Sequence, residues 1–302
     1  MKLFNSTKDD DFRGVYEGFD ENRHRDLKYA LPSKLHQLKN VYLAQMKLFM
    51  KGYVPYTLLA LIAVIPVIIY SGALDNLIID STRDAIGDTG ETYVAICLGL
   101  MSAMMALVAS MVCGSMLPAE FKHRTAYINF PIPQSRGVFY MGKFLAGYTL
   151  ILATVLLVFA ESIIMAAAEG YPSISVKATI EALSLAVCGS FAFGAVAYGL
   201  SAFMNSGSTM LPFSILFIIV PTLSLVLFNS FGCMGLFGYM PTSAGDLALA
   251  CLGSDQTLSV SMIMSNITVD MSASVPIAAL ISIVCGTIFL LLGLSKTKRR
   301  EI

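Results

Sequence analysis

The sequence predicts an all-α membrane protein with six transmembrane helices. Of its 302 residues, 56% are hydrophobic and only 13% are charged, whereas soluble domains carry about 25% charged residues. Several charge-free stretches are long enough to cross the roughly 30 Å hydrocarbon core of a bilayer as helices. None of these stretches alternates as barrel strands do, and helices satisfy their backbone hydrogen bonds within the segment.

Two N-terminal elements precede the first apolar stretch. Residues 1–32 are predicted to be a polar, partly disordered cytoplasmic extension, because acidic and basic residues are mixed there with only a few aromatic ones. Residues 33–51 are predicted to form a helix with Ser33 as its N-cap. We expect this amphipathic helix to lie on anionic lipid, the alternative being a soluble helix packed on another domain. Five apolar residues share one arc of the helix: Leu35, Leu38, Tyr42, Met46 and Phe49.

Residues 52–295 are predicted to form the six-span transmembrane domain. The charge-free stretch from Ala182 to Gly245 is too long for one span, and the polar residues 205–208 followed by Pro212 divide it in two. Residues 296–302 form a basic cytoplasmic tail. The spans are expected near residues 53–71, 92–117, 140–165, 179–203, 211–230 and 274–294.

The distribution of Lys and Arg predicts the orientation of the chain. The loop from Ala119 to Lys143 contains Lys122, Arg124, Arg136 and Lys143 against a single acidic residue, Glu120. The C-terminal tail is also basic, whereas the charged residues between positions 71 and 91 are mostly acidic. Because positive loops remain in the cytoplasm, we expect both termini and the second loop to be cytoplasmic in a multi-pass plasma-membrane protein.

Residues 137–143 have the glycine and lysine spacing of a nucleotide-binding loop but not its chemistry. Such a loop needs small residues, so that backbone N–H groups can surround the phosphates, and a hydroxyl residue after the lysine. Here the interior is Val-Phe-Tyr-Met, and Phe144 follows Lys143. We therefore expect no catalytic site and no bound nucleotide in this chain.

A longer pattern covers residues 120–143. An acidic residue is followed by a Thr, by Pro-x-Ser-Arg and by Gly-Lys, in the order Glu120, Thr125, Pro133, Ser135, Arg136, Gly142 and Lys143. This pattern resembles the loop between spans two and three of ABC transporter permeases of the type-2 exporter class. Arg124 stands where that family usually has Gly.

The resemblance implies a permease subunit that couples to separate ATPase subunits through a cytoplasmic helix in the 120–136 loop. ATP and magnesium would be bound by those partners, and this chain would bind no cofactor. It would pair with a second copy or with a similar permease, in a lipid bilayer and without nucleic acid. Prolines at 131 and 133 would stiffen the loop. The expected polar contacts with the ATPase are Glu120, Arg124 and Arg136.

The resemblance also implies an external re-entrant helical pair between spans five and six. The segment from Ser230 to Ala273 has the expected length and position. Its stretch from Ala244 to Leu252 is apolar enough to re-enter the edge of the membrane. Cys233 and Cys251 lie in the same segment and would be able to form a disulfide in an oxidising compartment.

Two further groups are candidate functional residues. Glu161 and Glu181 are expected near the outer headgroups, where they either line a vestibule for a cationic or amphiphilic substrate or are simply solvated. Small residues four apart on the fourth span predict close packing on another helix, of this chain or of a second subunit: Ala186, Ser190 and Gly194.

Other function classes have less support in the sequence. The histidines at positions 24, 36 and 123 are not spaced as zinc ligands, which argues against a metal site. A stand-alone secondary transporter or channel remains the alternative, although we find no internal repeat and no charge near the midplane. A membrane enzyme or an assembly scaffold is the third hypothesis, and no catalytic constellation favours it.

Overall fold

The computed structural model describes residues 33–52, 107–120, 135–168, 175–204, 210–241, 257–262, 265–270 and 274–299, together with residues 55, 56, 58–60, 94 and 105. The chain divides into two units, Met1–Ser33 and Lys34–Ile302, and the elements below belong to the second. The predictions for the N-terminal extension, for most of the first span and for residues 121–134 lie outside the described residues.

The described part of the chain is mainly helical. Among the described residues, three helices are long and apolar enough to cross a membrane by length and composition, namely Arg136–Ala168, Val176–Ser201 and Val275–Arg299. A helical membrane protein is thus confirmed in this coarser form, and the number of six spans stays a prediction. The helices are α1 (Lys34–Lys51), α2 (Leu107–Glu120), α3 (Arg136–Ala168), α4 (Val176–Ser201), α5 (Met210–Ser230) and α6 (Val275–Arg299).

Helix ends follow from local sequence. Ser135 precedes α3, and its Oγ accepts a hydrogen bond from the backbone N–H of Val138 at 3.3 Å, as an N-cap residue does. Gly232 closes α5 with a φ of 68°, a conformation that glycine adopts without a Cβ penalty. The backbone N–H of Cys233 then reaches the carbonyl of Phe228 at 2.9 Å, which completes a Schellman cap.

The core forms where α4 packs between α3 and α6. Glycines allow α4 and α6 to approach closely, because a Cβ on Gly199 would collide with the carbonyl oxygen of Phe289. A Cβ on Gly286 would likewise lie 2.8 Å from the Phe191 ring. Aromatic side chains of α3 and α4 contact one another beside this contact, mostly in tilted or edge-to-face arrangements: Tyr140, Phe144, Tyr148, Phe191 and Tyr198.

Helix α1 packs on α3 of the same chain. Gly142 of α3 makes room for Val41, whose Cγ1 lies 2.9 Å from the position a Cβ would occupy. Tyr42 donates its hydroxyl to Thr149 Oγ1 at 3.3 Å. Most of the predicted apolar arc is therefore packed against other helices of the same chain, whereas Leu35 at its edge is 77% exposed. Contact of α1 with lipid stays a prediction.

A β-hairpin lies between α5 and α6, where the predicted all-α fold has none. Strands β1 (Thr257–Met262) and β2 (Ser265–Asp270) pair antiparallel, with Val260 opposite Ile267. Both segments alternate polar and apolar residues, which is the period of a strand. A short 3-10 helix, Met234–Tyr239, contacts β2, α5 and α6. Residues 242–256, which include the predicted re-entrant stretch, lie outside the described residues.

Candidate functional site: a polar hub at the start of α3

The first two turns of α3 meet four other helices. We call this region the hub and define it by Arg136, Tyr140, Gly142 and Lys143 of α3. At about 1.5 Å per residue, the 33 residues of α3 extend about 50 Å, which exceeds the roughly 30 Å hydrocarbon core of a bilayer. At least one end of α3 therefore projects beyond the core, and the two basic side chains of the helix, Arg136 and Lys143, lie in its first two turns.

Lys143 joins α3 to the end of α2. Its Nζ donates a hydrogen bond to Glu120 Oε1, and the two side chains are only 6% and 16% exposed. The same Nζ lies 4.7 Å from the centre of the Phe139 ring, within the range of a cation–π interaction. Because breaking a largely buried ion pair is costly, this pair stabilises the contact between the end of α2 and the start of α3.

Arg136 joins α3 to the end of α6. Its Nη1 donates a hydrogen bond to the backbone carbonyl of Lys298 at 3.1 Å. The last carbonyls of a helix have no partner within the helix and carry its negative end, so a guanidinium is a favourable donor there. Next to it, the position of a Cβ on Gly137 lies 3.7 Å from Lys298 Cε and 3.8 Å from Leu294 Cδ1.

Tyr140 joins α3 to both α4 and α6. The hydroxyl of Tyr198 on α4 donates to the backbone carbonyl of Tyr140 at 2.9 Å, and the two ring centres are 4.7 Å apart. The Tyr140 hydroxyl occupies the space that a side chain at Gly293 of α6 would fill. This hydroxyl is buried, and it has no hydrogen-bond partner among the residues that the structure describes.

The structure brings some of the predicted coupling residues together. Glu120, Ser135, Arg136 and Lys143 all lie at the hub or directly beside it. Glu120 and Arg136, expected to contact an ATPase, are engaged inside the chain with Lys143 and with Lys298, and their contact with an ATPase stays a prediction. Three other predicted coupling residues lie outside the described residues: Arg124, Thr125 and Pro133.

Sequence reasoning missed three residues of this site. Tyr198, Gly293 and Lys298 lie 58 or more positions from their partners, and no local pattern marks them as neighbours of α3. The sequence pattern identified Tyr140 only as a bulky residue that a phosphate-binding loop would not contain. A Tyr and a Gly within apolar helices carry no signal of mutual contact, so only the tertiary packing reveals the pair.

The two predicted vestibule carboxylates differ in environment. Glu161 lies on α3, and its buried Oε2 has no hydrogen-bond partner within the described ranges. Glu181 on α4 is half-buried and lies 3.9 Å from Lys177, one turn earlier on the same helix. A surface pair of this kind stabilises a helix by only a few tenths of a kcal/mol, roughly 0.3–0.5.

The small residues of α4 face neighbouring helices of the same chain. Ala186, Ser190 and Gly194 are all buried. A Cβ on Gly194 would lie 3.1 Å from Ile151 Cδ1, which places this face against α3. Ala195 lies on the side of α4 that faces α6, 3.2 Å from where a Cβ on Gly286 would be. Both contacts are intramolecular.

No protein-family model matches the chain, and no curated protein matches it. Among the described residues, no three His, Cys, Asp or Glu side chains come together as metal ligands. The function is therefore argued from the 120–143 pattern and from the geometry of the hub.

Proposed function

We propose that this chain is the permease subunit of an ATP-driven ABC exporter. It forms the translocation pathway in the plasma membrane and receives its energy from separate ATPase subunits, which bind ATP and magnesium. The observation that supports this proposal best is the ion pair between Glu120 and Lys143. This pair joins the two helices that flank residues 121–134, the segment whose pattern resembles the coupling loop of such permeases.

The ion pair matters because a force applied to that segment enters the chain at its two ends. One end is Glu120, the last residue of α2, and the other is Ser135, the N-cap of α3. Lys143 holds Glu120 against the second turn of α3. A displacement of the segment would then move α2 and α3 together, whereas a flexible attachment would absorb it.

The proposed exporter contains more than one copy of a permease. A pathway between two six-span halves requires this chain to pair with a second copy or with a similar permease, together with two ATPase subunits. Exposed apolar side chains on α5 and α6, such as Leu223 and Leu280, suit contact with lipid or with a second permease. Both termini and the hub would face the cytoplasm, where the ATPases are.

Co-purification tests the partnership. The tagged chain would be extracted in mild detergent from its native host, and the associated proteins identified by mass spectrometry. We expect a protein with ATP-hydrolysing activity in about equal amount, and we expect the chain alone to hydrolyse no ATP. Recovery of the chain without any ATPase, together with full transport activity, would rule the proposal out.

One observation favours a second function, that of a stand-alone ion-coupled transporter. The buried Oε2 of Glu161 lacks a hydrogen-bond partner among the described residues, and an intramembrane carboxylate of this kind is a candidate for proton or cation binding. The chain alone in proteoliposomes would then move protons or sodium down a gradient. Such flux, abolished by Glu161→Gln and independent of ATP, would favour this second function over the exporter.

A further inference from the structure

The end of α6 lies against the first turns of α3 through three successive contacts. Arg136 donates to the carbonyl of Lys298. Gly137 faces Leu294 and the Lys298 side chain, and the Tyr140 hydroxyl fills the space beside Gly293. These contacts cover the last two turns of α6, so α6 is attached to the same part of α3 as the Glu120 pair.

The attachment is made by side chains that reach the neighbouring helix. The Tyr140 side chain of α3 extends to Gly293 of α6, and the Leu294 and Lys298 side chains of α6 extend to Gly137 of α3. The acceptor of Arg136 is a main-chain carbonyl, which moves only when the helix moves. Because packed interiors deform little, the buried contact of the Tyr140 hydroxyl with Gly293 transmits displacement rather than absorbing it.

Helix α6 is in turn packed closely on α4. Gly199 of α4 lies against the backbone of Phe289, one turn before Gly293 on α6. Tyr198, adjacent to Gly199, donates to the carbonyl of Tyr140 and so returns to α3. The first turns of α3 and the last turns of α4 and α6 thus contact one another in all three pairs: α3 with α6, α6 with α4, and α4 with α3.

We propose that Arg136 is a positioning residue that fastens the end of α6 to the start of α3, so that both move as one body during coupling. Displacement that enters at Glu120 and Ser135 is thereby delivered to α6 and α4. This inference rests on the proposed function, because its readout is ATP hydrolysis by the partner ATPase that depends on this chain. It assigns Arg136 a partner inside the chain in place of a contact with the ATPase.

A reversible cross-link tests whether α3 and α6 stay together. The pair of substitutions is Gly137→Cys and Leu294→Cys. The new side chain at position 137 fits, because its Cβ would have no neighbour closer than 3.7 Å. Oxidation would join the helices, and a reductant would release them. Each single substitution serves as a control, and ATP hydrolysis would be measured on the whole complex in proteoliposomes.

We expect the cross-link to form and to leave chain-dependent ATP hydrolysis unchanged. Arg136→Gln alone should lower that hydrolysis about two- to tenfold, the range expected from loss of one ordinary hydrogen bond, because this bond is exposed to solvent. Oxidation of Arg136→Gln in the double-cysteine background should restore it, because the cross-link replaces the lost contact. Restoration distinguishes positioning from docking, since a cross-link within the chain does not replace a contact with the ATPase.

Three results would overturn the inference. One is failure of the two cysteines to be joined either by oxidation or by a short reducible thiol cross-linker, which would mean that α3 and α6 are not in contact. Another is loss of hydrolysis on oxidation with recovery on reduction, which would mean that the two helices must separate in each cycle. The third is an Arg136→Gln complex as active as the unmodified one. Failure of the proposed function is recognised separately, because the unmodified chain would then stimulate no ATPase at all.

Discussion

Lys143, in the second turn of α3, donates to Glu120, the last residue of α2, and both side chains are largely buried. The two residues are 23 positions apart, and the whole segment from 121 to 134 lies between them. An ion pair at the base of a segment fixes the distance between its ends. For this reason the pair, rather than the segment alone, is central to the account.

Removing one charge of this pair should destabilise the protein. Lys143→Met breaks a largely buried ion pair by removing one charge, and such a change costs about 3–5 kcal/mol. Glu120→Gln should act in the same direction. The double variant, Lys143→Met with Glu120→Leu, should be more stable than Lys143→Met alone. The measurement is thermal or denaturant unfolding of the purified protein in detergent.

The pair between Lys177 and Glu181 provides a matched control for that series. It is exposed, with 83% of the Lys177 side chain accessible to solvent. Lys177→Met should change the free energy of unfolding by no more than about 0.5 kcal/mol. Equal losses for Lys143→Met and Lys177→Met would contradict the description of the hub pair as buried and mutually dependent.

Two tyrosine-to-phenylalanine substitutions should differ in their effect on the free energy of unfolding. Tyr198→Phe removes a hydroxyl that donates to the Tyr140 carbonyl, and it should destabilise the protein by about 1 kcal/mol. Tyr140→Phe removes a buried hydroxyl with no acceptor among the described residues, so it should be neutral or stabilising. Melting temperatures of the two variants, measured side by side, provide the test. A larger loss for Tyr140→Phe would show that its hydroxyl has a partner outside the described ranges.

The glycines at the contact between α3 and α6 should differ in their tolerance of a methyl group. Gly293→Ala would place a Cβ against the Tyr140 hydroxyl and 2.8 Å from the Gly199 backbone, so it should cost about 1–3 kcal/mol or more. Gly137→Ala meets nothing closer than 3.7 Å and should be tolerated. Unfolding of both variants in the same detergent decides between them. Similar stabilities would mean that α3, α4 and α6 are less closely packed than described.

The sequence predicted the positions of the long helices because absence of charge is a simple and lengthy signal. The third predicted span, 140–165, lies inside Arg136–Ala168, and the sixth, 274–294, coincides with most of Val275–Arg299. The hairpin was missed because each strand has only six residues, and a short period of two is easily overlooked in an apolar segment. In addition, the hairpin contains no charged residue before Asp270, so charge did not mark its strands.

The candidate site was predictable only in part. Glu120, Ser135, Arg136 and Lys143 were recognised from one local pattern, since they lie within 24 positions of the chain. Their partners were not, because the Arg136 bond joins residues 162 positions apart and the Tyr198 bond joins residues 58 apart. Such contacts depend on how helices pack, and side-chain type alone does not encode which helix a tyrosine or an arginine will meet.

A charge exchange tests most directly whether the hub couples this chain to a separate ATPase. The measurement is ATP hydrolysis by the reconstituted complex, relative to the ATPase subunits alone, for Glu120→Lys, for Lys143→Glu and for both together. We predict that hydrolysis depends on the chain, falls with either single change and recovers substantially in the double variant. Hydrolysis that is unaffected by the presence of the chain, or ATP turnover by the chain on its own, would contradict the account.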